Sequence, residues 1–94
     1  MEIDSVDTIP RPIQPIRPMY PPMAARQKAK GNVILTVFIS ETGAVLDVKV
    51  LRGAPFGFDD AAVRAVRATR FTPATKDGKR VRTWMPIPIN FTLQ

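Results

Sequence analysis

Cysteine and histidine are both missing from this chain of 94 residues. Without cysteine there is no disulfide and no thiolate, and the redox compartment leaves no mark on the sequence. Without histidine the commonest general base and metal ligand is gone. Long apolar runs are absent too: no stretch of 18 apolar residues offers a membrane span, and no signal peptide opens the chain. If the parent protein is membrane-anchored, its anchor lies outside these residues.

Size adds a further exclusion. Six of the ten prolines (Pro10, Pro12, Pro15, Pro18, Pro21 and Pro22) fall in the first 22 residues. That leaves roughly 75 residues for one core, which gives only a few kcal/mol of net stability and little room for a large buried active site. Adjacent carboxylates at Asp59 and Asp60 lack a histidine or metal-ligand partner, so they read as helix-start residues rather than an acid/base pair. The sequence therefore points to a non-enzyme with no catalytic residue, no metal and no cofactor. The net charge of +6 fits an anionic partner, a membrane surface or plain solubility. The basic residues are dispersed, and Arg64, Arg67 and Arg70 have the spacing of a wet helix face.

Several signals are positive. "IPRPIQPIRP" suits a polyproline II strut, the composition of a semi-rigid spacer. "PPMAARQKA" predicts a short helix over about 22–30, with Gly31 as a left-handed cap. In "NVILTVFIS" the residues Val33, Leu35, Val37 and Ile39 share one face, "SETG" turns the chain at Gly43, and Leu46, Val48 and Val50 line the return strand. Val45 breaks that parity, so it lies on the outer face or a bulge precedes Leu46. Asp59 is the expected N-cap of a second helix burying Ala62, Val63, Val66 and Thr69. After a turn at residues 76–79, a last strand is expected over about 82–93. The expected fold is α+β: a two-layer sandwich with strand order second–first–last, the last strand antiparallel to the first, and two helices on one face.

Along residues 20–93 this set resembles the TonB C-terminal domain family. The likeness is carried by Tyr20-Pro21, Ala24, Gly31 leading into the alternating strand, Gly43, Val45, Asp47, Val48 and Val50. It continues through Asp59, Ala62, Val66, Arg70-Phe71, Pro73-Ala74, Asp77-Gly78-Lys79 and the final Ile89, Asn90 and Phe91. Thr69 stands where many members carry an aromatic residue. The resemblance implies a spacer end over 1–19, a domain over 20–94, and a periplasmic location in a protein tethered to the inner membrane. It implies coupling to an inner-membrane motor complex and β-strand addition of an extended peptide from an outer-membrane transporter. Other members end motility or secretion machines, which keeps another envelope protein open as the partner. A Gln-Pro pair implicated in partner contact directly precedes the Tyr-Pro in the family; here Gln14-Pro15 lies further upstream and is the candidate linker contact.

The last strand carries prolines at 86 and 88. Residues of one parity share a side-chain face and a hydrogen-bonding edge. Met85, Ile87, Ile89 and Phe91 are the apolar set, so their backbones pair with the neighbouring strand, and both prolines fall on the other edge. A free edge blunted by proline is expected there. The candidate partner-binding residues are Arg82, Trp84, Pro86, Pro88, Asn90 and Thr92. Trp84 is either the side-chain anchor of that edge or a cap on the sheet end. A monomer or weak dimer is expected, since prolines oppose a continuous intermolecular sheet. The competing class, a nucleic-acid module stacking bases on Phe38 and Trp84, lacks a clustered basic face or a motif, so no nucleic acid is expected.

Overall fold

The computed structural model describes residues 6–92. In chain order the elements are α1 (Pro22–Arg26), β1 (Gly31–Ile39), β2 (Val45–Arg52), α2 (Phe58–Arg67), β3 (Ala74–Lys76), β4 (Lys79–Val81) and β5 (Thr83–Phe91). The main sheet runs β2-β1-β5, and β1 is antiparallel to both neighbours. This is the expected strand order, with the expected antiparallel pairing of first and last strands. The last residue of the expected final strand, Leu93, lies outside the described residues, as do the first five residues of the expected spacer.

Alternation builds the core. Val33, Leu35, Val37 and Ile39 of β1 are fully buried, and Met85, Ile87, Ile89 and Phe91 of β5 are buried beside them. The same cluster takes Ala24 from α1 and Phe58, Ala62 and Val66 from α2, so both helices serve one face of the sheet. Phe58, Ala62 and Val66 repeat every four residues, the spacing of one buried helical stripe. Tyr20, just before α1, closes the end of the core: its ring meets Phe58 and Phe91 edge-on at 5.5 and 5.9 Å. Its hydroxyl donates to the carbonyl of Ala29.

Four local expectations change. First, α1 ends at Arg26, not near residue 30. Lys28 takes the left-handed conformation (φ 52°), and the amides of Lys28 and Ala29 reach back to the carbonyls of Ala25 and Ala24, a Schellman closure. Gly31 is therefore not the cap; a Cβ there would stand 2.6 Å from the Phe58 ring, so glycine is needed for packing. Second, the N-cap of α2 is Gly57 rather than Asp59. Asp59 sits in the first turn and accepts a hydrogen bond from the Ala54 amide at 2.7 Å, which ties the loop to the helix.

Third, the register of β1 with β2 pairs Ile39 with Val45 and Phe38 with Asp47. Leu46 is thus the extra residue of a bulge and turns outward, while Val45 packs against the core. Fourth, the turn at 76–79 closes a small hairpin of its own, β3–β4, with positive φ at Asp77 and Gly78, the type I′ signature. Gly43 does take the expected positive φ (87°). It also lets the chain approach closely, because a Cβ there would fall 1.8 Å from the Phe71 carbonyl oxygen.

The proline-rich segment is extended but not free. The Asp7 amide donates to the Thr75 carbonyl at 2.7 Å, the Thr72 amide to the Arg11 carbonyl at 2.8 Å, and the Ile13 amide to the Arg70 carbonyl at 2.8 Å. The Asp7 carboxylate accepts from the Asp77 amide at 2.7 Å. Residues 7–13 lie as a strap along residues 70–77.

Candidate functional site

Strand β5 lies at one side of the three-stranded sheet, with β1 on its inner side only. Its register is unbroken from Gly31↔Phe91 to Ile39↔Thr83. Pro86 stands opposite Thr36 and Pro88 opposite Ile34. Proline has no N–H, so these are the non-hydrogen-bonded pairs of the antiparallel ladder. The bonded pairs are then the intervening ones, Val37↔Met85, Leu35↔Ile87 and Val33↔Ile89. Neither proline removes a bond from the β1–β5 ladder.

What remains on the outer edge follows from the same parity. Trp84, Asn90 and the adjoining Thr92 offer both N–H and C=O groups outward, whereas Pro86 and Pro88 offer only C=O. The middle of the edge is an acceptor-only stretch between two ordinary ends. The sheet's other edge, β2, differs: its register with β1 is interrupted at Leu46 and again near Leu51, and bulges of this kind twist an edge away from a partner.

The side chains of Trp84, Pro86, Pro88 and Asn90 stand on the sheet face opposite the helices. Trp84 stacks on Phe38 at 5.0 Å with an interplanar angle of 24°. The Lys49 ammonium sits 5.0 Å from the Trp84 ring centroid, within cation–π range. Residues from β5, β1 and β2 thus join across the sheet, and Trp84 is half-buried over it rather than projecting from its end. The two aromatic candidates for base stacking spend their faces partly on each other. Arg82 pairs through Nε with Glu41 at 3.1 Å, both side chains remaining largely exposed. That pair ties the start of β5 to the β1–β2 turn, so its charge is partly spent within the domain.

Gln14 and Pro15 belong to a different place. They line a groove against the C-terminal half of α2, together with Ala65, Ala68 and Thr69. The eight candidate residues therefore form two groups, six along β5 and two beside α2. Sequence reasoning missed the Phe38–Trp84–Lys49 stack. The signal that carried it was the even parity of Phe38 and Trp84, once the β1–β5 register places them opposite each other. Among the described residues no group of three acidic, cysteine or histidine side chains could hold a metal ion, and no helix is long and apolar enough to cross a membrane. The arrangement is suited to binding an extended chain.

A family model described as Gram-negative bacterial TonB protein C-terminal matches residues 16–93. The chain is 34% identical over 77 residues to the protein tonB2 of Pseudomonas aeruginosa, covering 81% of this chain and 28% of that protein. It is 34% identical over 90 residues to the TonB protein of Xanthomonas campestris, covering 95% of this chain and 40% of that protein. Among solved structures it is similar to the solution NMR structure of the Pseudomonas aeruginosa TonB CTD, with a TM-score of 0.75 and 28% identity, over 94% of this chain and 90% of that one. The chain spans two-fifths or less of the length of these curated relatives.

Proposed function

The chain belongs to the family of Gram-negative bacterial TonB C-terminal domains, and on that footing we propose that it grips an extended peptide of an outer-membrane protein along the free edge of β5. Domains of this family are non-enzymatic protein-interaction modules of energy-transducing proteins. In this reading residues 1–19 are the end of a spacer and residues 20–94 the gripping domain. The parent protein is held in the inner membrane, crosses the periplasm and passes force from a motor complex to a transporter.

One observation carries the strand-addition reading: β5 is a nine-residue edge strand in unbroken register, and its two prolines both face outward. Main-chain bonds give affinity in such complexes and side-chain pockets give selectivity. Here the partner's N–H groups would meet the Pro86 and Pro88 carbonyls, while the returning bonds come from Trp84, Asn90 and Thr92. A short ladder strengthened by Trp84 follows, weaker than a full strand would give. Arg82 contributes an exposed cation to the same edge, and Gln14 with Pro15 would touch the partner separately, beside α2.

Backbone amide NMR tests this with isotope-labelled domain and synthetic peptides from the N-terminal segments of outer-membrane transporters. Docking should move the Trp84, Asn90 and Thr92 amides most and slow their hydrogen exchange, with Met85, Ile87 and Ile89 already protected. Shifts confined to α1 and α2, with residues 83–92 unmoved, would sink the proposal.

A further inference from the structure

The outer face of α2 is left uncovered beside the segment 13–22. Two cavities of about 440 and 430 Å³ lie there, and Arg17, Ala65 and Ala68 line both. They are therefore two parts of one groove. Its floor is thin, because α2 presents Ala61, Ala65 and Ala68 where larger residues would fill the space. Along the floor from Ala61 to Ala68 the chain rises about 10 Å at 1.5 Å per residue. That length takes about three residues of extended chain at 3.3 Å each.

The rim has one dominant sign. Arg17, Arg64 and Arg70 stand around the groove, against a single carboxylate at Asp60. Among the described residues the only ion pair is Arg82 with Glu41, so none of these three arginines is paired with a described carboxylate. Helix-dipole compensation accounts for Arg64 near the end of α2; it does not account for Arg17, which belongs to the approach segment. Exposed apolar side chains flank the opening, Ile13 at 64% and Met19 at 80%. An occupant that suits the whole groove brings carboxylates to the rim and small or apolar side chains to the alanine floor.

We propose that this groove is a second docking surface, distinct from the β5 edge, for an extended acidic segment of a partner protein with small or apolar residues between its carboxylates. Guanidinium groups bind carboxylates in a planar, two-pronged geometry, and three of them along a narrow floor select acidic sequences over neutral ones. This inference does not depend on strand addition at β5, since the β5 edge and the groove share no residue; of the contacts proposed above only Gln14 and Pro15 fall in the groove.

The test titrates isotope-labelled domain with the acidic hexapeptide Asp-Leu-Glu-Ala-Asp-Leu and with its lysine counterpart Lys-Leu-Lys-Ala-Lys-Leu. Expected are amide shifts at residues 13–19 and 60–70 with the acidic peptide alone, weakening as salt is raised. Exchanging two of the three exposed arginines (Arg64→Glu with Arg70→Glu) should weaken binding on the order of tenfold, from about 0.7 kcal/mol per exposed charge contact. Ala65→Gln, which fills the floor without touching the charge, should also weaken it and serves if the double variant folds poorly. Trp84→Ala should leave acidic-peptide binding unchanged, while the transporter peptides should lose far more affinity to Trp84→Ala than to Ala65→Gln. Equal binding of both hexapeptides, shifts on β5 instead of α2, or indifference to Ala65→Gln would overturn the proposal.

Discussion

The two faces of the β1–β5 pair are built from neighbouring residues and do opposite work. On the helix side Val33, Leu35, Val37 and Ile39 lie against Met85, Ile87, Ile89 and Phe91, all buried. On the other side Ile34, Thr36 and Phe38 face Pro88, Pro86 and Trp84; helices cover none of them, and of these six only Thr36, flanked by strands on both sides, is buried. The covered face holds the fold through close packing. The open face shares its parity with the outward-pointing backbone of β5, so its side chains and that edge form one surface. A two-residue period therefore separates the packed face from the exposed one within single strands, and the proposed recognition edge belongs to the second.

The sharpest way to break this contrast is to truncate adjacent residues. Leu35→Ala removes a fully buried side chain and should cost about 3 kcal/mol, a large share of the stability of a small domain. Ile34→Ala, one residue away on the open face, should cost about 1 kcal/mol, because its side chain is only half-buried. Urea unfolding followed by circular dichroism gives both values. Equal costs would mean that the faces do not differ as described.

The covered face was legible in the sequence because burial imposes a strict alternation on β1 and β5, and no local rival signal competes with it. Proline parity likewise revealed the free edge before any coordinates. Elsewhere local signals misled for physical reasons. The helix-forming run after Pro22 read as continuing to residue 30, but Lys28 adopts the left-handed turn without glycine. Asp59 has the chemistry of a cap, yet its oxygen is taken by the Ala54 amide. The strap left no trace at all: Thr8 bridges to Thr75 through backbone groups that every residue type except proline carries. The groove beside α2 was invisible for a related reason, since it is defined by what Ala61, Ala65 and Ala68 fail to fill.

A smaller effect sharpens the open face itself. Trp84→Ala abolishes both the Phe38 stack and the Lys49 contact and should cost about 1.5 kcal/mol, the sum of modest aromatic and cation–π terms. Trp84→Phe keeps a ring over the sheet and should recover about half of that. Thermal melts would rank the pair. A neutral Trp84→Ala would instead identify Trp84 as serving recognition alone.

The smallest stability change should come from the residue that most defines the edge. Pro88 stiffens the unfolded chain, which favours the native state by about 0.4–1 kcal/mol. Valine in its place has the higher strand propensity on a scale spanning about 1 kcal/mol. The two effects oppose each other, so Pro88→Val should shift stability by only about 0.5 kcal/mol in either direction. Its effect on association runs the other way. The substitution restores an outward N–H in the acceptor-only stretch, so the edge regains one donor for an added strand. Sedimentation should then show more self-association than the native chain, and transporter peptides should bind more tightly. Both consequences follow from a single amide on the open edge. A large gain in stability would mean that position 88 faces β1 after all, because only there would the new N–H complete a bond of the native ladder.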